Sequence, residues 1–184
     1  MTRRVGPLLG ATLFDADAAA RELLAGNSPA VQQVVKAFGR DVISPGTGGI
    51  DRAKLREIVF RDASKRKVLE EILHPLIRSR WMTLAEEFRG RAEWMLVDIP
   101  LLFETQAESQ FDAVVVVACG AATQKARIVL ERGLTEEMAE RIIASQQSLA
   151  SKISLASHVV WNESPLARLD EQAQILTDYL QRKF

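Results

Sequence analysis

Short apolar runs alternating with amphipathic helical segments predict an α/β fold, a parallel sheet with helices on both faces and so three layers. Three observations carry this. Trp94-Met95-Leu96-Val97 is a short apolar run, the signature of a strand covered on both faces, and Ala113-Val114-Val115-Val116-Val117 is a second, β-branched one. Asp98 stands where the first run ends, and Pro100, which has no N–H to donate, stops its ladder. Elsewhere apolar residues recur at helical spacing, as at Val68, Leu69, Ile72, Leu73, Leu76, Ile77, Trp81 and Leu84.

In chain order, Val5, Leu8 and Leu9 share one helical face with Arg3 and Arg4 opposite, so residues 1–9 read as the tail of a helix capped by Gly10. Pro7 is tolerable there only in a first turn or with a kink. Thr12-Leu13-Phe14 is a short strand running into Asp15-Ala16-Asp17, two acids that open an Ala-rich helix over 18–24. Gly26-Asn27-Ser28-Pro29 breaks it, and Ser28 with Pro29 starts another helix through Val31, Val34, Val35 and Phe38. A Gly- and Pro-rich loop follows over 44–49, after which Asp51 caps a helix through Leu55, Ile58 and Val59. The helical pattern over 64–87 contains His74-Pro75, which should kink it or split it in two. Residues 18–90 thus form one helical block interposed between two strands.

The second half repeats the alternation. After the buried run at 113–117, residues 123–130 read as a helix with Lys125, Arg127 and then Arg132 as a basic cluster. Gly133 breaks it and Thr135 caps the next, through Met138, Ile142 and Ile143; residues 146–156 continue as helix with Lys152. His158-Val159-Val160-Trp161 is a last strand, and 166–180 an amphipathic helix.

Composition narrows the class. A chain of 184 residues suits one domain with a sizeable core. Lys+Arg and Asp+Glu balance at 24 each, so no global field attracts nucleic acid or an anionic membrane. One cysteine, Cys119, excludes an internal disulfide and two-cysteine metal motifs; it reads as packing, in a reducing cytosol. No apolar run approaches a membrane span or a signal peptide, so a soluble cytoplasmic protein is expected.

Three strand ends carry polar residues: Asp15 with Asp17, Asp98, and Asn162. In a doubly wound sheet those ends share one edge and can converge on one cleft. Around it lie Arg21, Arg127, Arg132 and Lys152. Carboxylates with dispersed basic residues, and no paired His or Cys for a transition metal, suit phosphate chemistry. The alternative for each is ordinary: helix-capping acids and solvated helix faces.

Several motifs in order carry a resemblance. Phe14-Asp15-Ala16-Asp17 with Ala20-Arg21-Glu22-Leu23, then Leu55-Arg56-Glu57-Ile58-Val59-Phe60, resembles the dephospho-CoA kinase family. So do Leu73-His74-Pro75-Leu76-Ile77 and Asp98-Ile99-Pro100-Leu101-Leu102-Phe103-Glu104, at similar spacing. Thr123-Gln124, Arg127, Arg132, Leu134-Thr135-Glu136-Glu137 and the Arg141-Ile142 and Ser145-Gln146 segments extend the match nearly to the C-terminus. The resemblance implies a single P-loop kinase-type domain with a helical acceptor-binding insertion over 18–90 and a lid over 123–152. It implies transfer of the γ-phosphoryl of ATP, with Mg²⁺, to the 3′-hydroxyl of dephospho-CoA, the last step of coenzyme A synthesis. Asp17 would accept the hydroxyl proton. Asp15, Arg21, His74, Asp98 and Leu101 would serve the acceptor, with Asp98 alternatively at the metal's shell and His74, a lone His before Pro, equally a structural helix-end residue. Arg21 would hold phosphate or orient Asp17, a plain ion pair with Asp17 being the alternative. Arg127 and Arg132 would come from the lid, and Asn162 would lie near the adenine. The resemblance assigns no dedicated protein ligands to a metal and implies no partner beyond the small-molecule acceptor, in a monomer or weak homo-oligomer.

Two departures stand out. The family has Asp-Asn-Asn-Gly where this chain has Trp161-Asn162-Glu163-Ser164. The family also opens with a strand, a Gly-rich loop ending in Gly-Lys-Ser/Thr, and a helix; no G-x-x-x-x-G-K-[ST] occurs here, and Met1 falls about where the family has just passed that lysine. The expectation is weakened ATP binding and turnover, and either closure of the two strands flanking the gap or poor stability. An ordinary kinase with a longer start, and a P-loop-less relative binding a CoA-like ligand or a protein, are the two readings this leaves; a kinase of a nucleoside monophosphate explains fewer of the motifs.

Overall fold

The computed structural model describes residues 1–91, 93–163 and 166–184, with the side chains of Arg132, Leu166 and Ala167 excepted. The chain divides into two compact units, Thr12–Ile99, and Met1–Ala11 with Pro100–Phe184. No described helix is long and apolar enough to cross a membrane.

The unit Thr12–Ile99 is a helical block carried on a two-stranded parallel sheet. Strand β1 (Thr12–Asp15) pairs with β2 (Met95–Asp98) in the register Thr12 to Met95 through Asp15 to Asp98. Between them run α2 (Ala16–Leu23), α3 (Pro29–Phe38), α4 (Arg52–Arg61) and α5 (Ala63–Phe88). Local chemistry starts each one. Asp15, Ser28, Asp51 and Asp62 each cap a helix, their side-chain oxygens accepting N–H groups of the first turn. Helix α2 begins two residues earlier than the acids of its first turn suggested. The core is one apolar cluster from α2, α3, α4, α5 and the segments joining them: Leu23, Leu24, Ala30, Val31, Val34, Val42, Ile50, Leu55 and Leu73.

Helix α5 is not split at Pro75. It runs unbroken from Ala63 to Phe88 with the proline inside. Proline removes one backbone hydrogen bond and strains the preceding turn, a cost of about 3 kcal/mol in a free helix. Here Leu69, Ile72 and Leu73 before it and Leu76 and Ile77 after it all join the same cluster, which holds both halves in line. The loop 44–49 closes on the α2–α3 break, where the Ile50 N–H donates to the Leu24 carbonyl at 2.9 Å. Gly49 is required there: a Cβ would stand 2.9 Å from the Gly26 nitrogen and 3.0 Å from the Leu24 oxygen.

In the other unit, α1 (Thr2–Leu9) packs against α9 (Leu166–Lys183), with Arg4 bonded to Asp170. Pro7 is accommodated within α1, which Gly10 ends in the left-handed conformation, φ 62°, its N–H reaching the Gly6 and Pro7 carbonyls. Strand β3 (Val115–Ala118) pairs with β4 (His158–Trp161), again in parallel. Between them lie α6 (Ala121–Arg132), α7 (Glu136–Ala144) and α8 (Leu149–Leu155).

Several expectations need correction. The residues of β2 before Asp98 are half-buried rather than covered on both faces. Strand β3 starts at Val115 and is buried on one face only: Val116 and Ala118 are buried while Val117 is 45% exposed. Among the described residues the strands form two parallel pairs, β1 with β2 and β3 with β4. Helix over 146–156 is interrupted: α8 has its own cap, Ser148, whose hydroxyl accepts the Ser151 N–H at 3.1 Å.

Candidate active site

The register of β1 with β2 sets Asp15 beside Asp98 at the carboxyl ends of the two strands. Ligands of open α/β sheets bind just outside such ends. The Asp15 carboxylate is partly committed, accepting the Ala18 N–H at 2.8 Å as the cap of α2. Asp17 is the next acid, exposed in the first turn of α2, and among the described residues it makes no hydrogen bond or ion pair. Arg21 lies exposed in the last turn, and no ion pair joins it to Asp17. The simple pairing of these two is therefore absent, and both reach solvent.

Helix α5 packs against α2 and β2, and Arg80 on it binds Glu22 at 2.9 Å. His74, also on α5, is half-buried. Burial pushes its imidazole below the usual histidine range, with the Glu70 carboxylate one turn earlier opposing that, so the ring is neutral near pH 7. A neutral imidazole offers one donor and one acceptor. Among the described residues no three His, Cys, Asp or Glu side chains gather as a metal centre.

The remaining residues singled out in the sequence lie in the other unit. Leu101 is half-buried in the turn that follows Pro100. Arg127 lies half-buried on α6; the side chain of Arg132 and all of Ser164 fall outside the described residues. Asn162 leaves β4 with its N–H donated to the Ala118 carbonyl at 2.7 Å. Next to it, the Glu163 carboxylate accepts the Gly120 N–H at the start of α6 and the Thr123 hydroxyl at 2.7 Å. The Gly120 N–H and the Thr123 hydroxyl, with Arg127 beyond, hold this carboxyl below the usual range. Structure therefore joins Asn162 to the α6 start through a residue that the sequence marked only as a departure. Lys152, expected among dispersed basic groups, is instead folded in against Glu104 at 2.9 Å.

The sequence profile of the dephospho-CoA kinase family matches residues 4–168. The chain belongs to that family. It is 40% identical over 164 residues to the dephospho-CoA kinase of Streptomyces avermitilis, an overlap of 89% of this chain and 78% of that protein. With the dephospho-CoA kinase of Albidiferax ferrireducens the identity is 40% over 159 residues, 85% of this chain and 74% of the relative. The fold is similar to that of the dephospho-CoA kinase from Campylobacter jejuni, with a TM-score of 0.69 at 24% identity, covering 97% of this chain and 89% of the other. As a dephospho-CoA kinase family member the chain has the P-loop kinase fold, with its parallel strands in two pairs.

Proposed function

We propose that this chain takes part in phosphorylation of dephospho-CoA by ATP, with Asp17 as the group that accepts the acceptor's proton. The observation that carries the reading is Asp17 itself: exposed, unpartnered among the described residues, and two positions beyond a carboxylate that closes a strand pair. As the 3′-hydroxyl oxygen forms its bond to the γ-phosphorus, the bond from that phosphorus to the β,γ-bridging oxygen breaks and ADP leaves. The hydroxyl proton passes to the Asp17 carboxylate. Positioned general bases of this kind supply about 10²–10⁴-fold.

Other residues bind and orient. Arg21 is free to meet an acceptor phosphate, since it is not tied to Asp17. His74, held neutral by burial, offers a hydrogen bond to the acceptor without adding charge. Leu101 lends apolar surface. On the nucleotide side, Arg127 and Arg132 draw charge from the phosphates and Asn162 meets the base, with Glu163 tying Asn162 to the start of the helix that carries Arg127. Mg²⁺ keeps most of its waters and asks for one or two carboxylates, a demand that Asp98, exposed at the end of β2, fits. When bound, the ion neutralises charge on the transferring phosphoryl group.

Calorimetric titration of the chain with dephospho-CoA and, separately, with Mg·ATP tests this directly. Binding of dephospho-CoA is the expected result, and absence of binding to either ligand by folded protein overturns the reading. In a turnover assay, Asp17→Asn should lower kcat by about 10²–10⁴-fold while the acceptor's dissociation constant changes little.

A further inference from the structure

The break between α7 and α8 is gripped by a cluster that none of the roles above uses. Lys152 Nζ lies 2.9 Å from Glu104 Oε1, and the two side chains are only 14% and 18% exposed. The same carboxylate oxygen accepts the Gln147 backbone N–H at 2.9 Å, and Gln147 Nε2 donates to the Phe103 carbonyl at 3.2 Å. Lys152 also donates to Gln146 Oε1 at 3.1 Å. Both residues at the centre of the break are thus held, one by Lys152 and one by the turn 101–106. That turn is itself anchored, since Phe103 is buried with Val114, Val116 and Ala118, and Leu149 of α8 packs on the same cluster.

Stability alone does not account for such a pair. Removing two ions from water costs more than their attraction returns unless other hydrogen bonds complete both groups. Here Glu104 Oε2 is buried without a partner among the described residues. Apolar side chains of similar volume would hold the same segments together as well. What an ion pair adds is a single direction and distance. Burial pushes the Glu104 carboxyl up, but the hydrogen bonds from Lys152 and the Gln147 N–H outweigh it and hold the group below the usual range. The Glu104 carboxyl is therefore ionised at neutral pH.

We propose that Glu104 and Lys152 are positioning residues of the phosphoryl transfer, fixing the turn that carries Leu101 to the break between α7 and α8. This rests on the acceptor role given to Leu101 above. Lys152→Met keeps the apolar stem and deletes the charge; Glu104→Gln keeps the shape. Each is made in the full chain and titrated with dephospho-CoA, alongside thermal unfolding and hydrogen exchange at the Gln147 amide. Either single change should raise the acceptor's dissociation constant roughly 10- to 100-fold, the worth of a charge-assisted hydrogen bond, and speed exchange at Gln147. The double variant is decisive. Removing both charges relieves the unpaired ion, so the unfolding temperature should return toward wild type while acceptor affinity stays low. Recovery of affinity together with stability, or single variants that bind dephospho-CoA as wild type does, overturns the proposal and leaves a structural pair. Failure of the wild-type chain to bind dephospho-CoA strikes the acceptor reading first, a result that no comparison among variants could produce.

Discussion

Two helical regions of this molecule are held together by different physics. The block between β1 and β2 is an apolar interior, with Val34 and Val42 fully buried and Ala30, Val31 and Leu55 nearly so. Helices α6 to α8 have few buried side chains and are joined instead by directed polar contacts. Lys125 reaches Glu136 at 2.9 Å and Glu140 at 3.2 Å across α6 and α7. Apolar burial is non-directional and resists displacement in proportion to area, whereas a hydrogen bond to a charged group can be traded for one to water. The first region is suited to keep its shape. The second is suited to change partners.

The sharpest way to break this contrast is to open the apolar block. Leu73→Ala deletes a buried side chain at the junction of α5 with its neighbours. Urea unfolding should show a loss of about 2–5 kcal/mol. A loss well under 1 kcal/mol would mean the block is not close-packed.

A smaller effect should come from pH. His74 titrates below its ordinary range because burial favours the neutral ring. The unfolded chain then binds the proton more readily, so the stabilisation is complete above about pH 6.5 and is lost as pH falls below it. Urea midpoints at pH 7.5 and 5.5 should differ in the wild type, and His74→Gln should reduce the difference. An unchanged difference would place its origin elsewhere.

The smallest effect should come from the exposed polar contacts. Lys125→Met removes two ion pairs to exposed carboxylates on α7, whose hydrogen bonds raise the Lys125 pKa in the wild type. Global unfolding should barely move. Amide exchange over Glu136–Ala144 should nonetheless quicken, and a rigid α7 in that variant would erase the distinction between the two regions.

What could be read in the sequence was local. Asp15, Ser28, Asp51 and Thr135 announced their helices because a capping side chain acts within three residues. The strand ends were legible for the same reason, and they delivered Asp15 and Asp98 to one edge. The continuity of α5 through Pro75 was not legible, since it depends on side chains of α2, α3 and α4 meeting both halves of the helix. Nor was the clamp at Gln147, whose partner Glu104 is 43 residues away. Glu163 was visible only as a residue out of place in a motif. Its two hydrogen bonds cross 43 and 40 residues, and no periodicity encodes them.

The pairing of β1 with β2 has one more consequence. The Thr12 N–H donates to the Trp94 carbonyl at 2.9 Å, so the chain leaves the sheet and returns to it a single strand spacing apart. Everything between behaves as a cassette hung from two adjacent hooks. Residues gained or lost within its loops leave the two carboxylates at the hooks, Asp15 and Asp98, in their places. The block can therefore change in length while the strand register holds, because that register is set by the two strands alone.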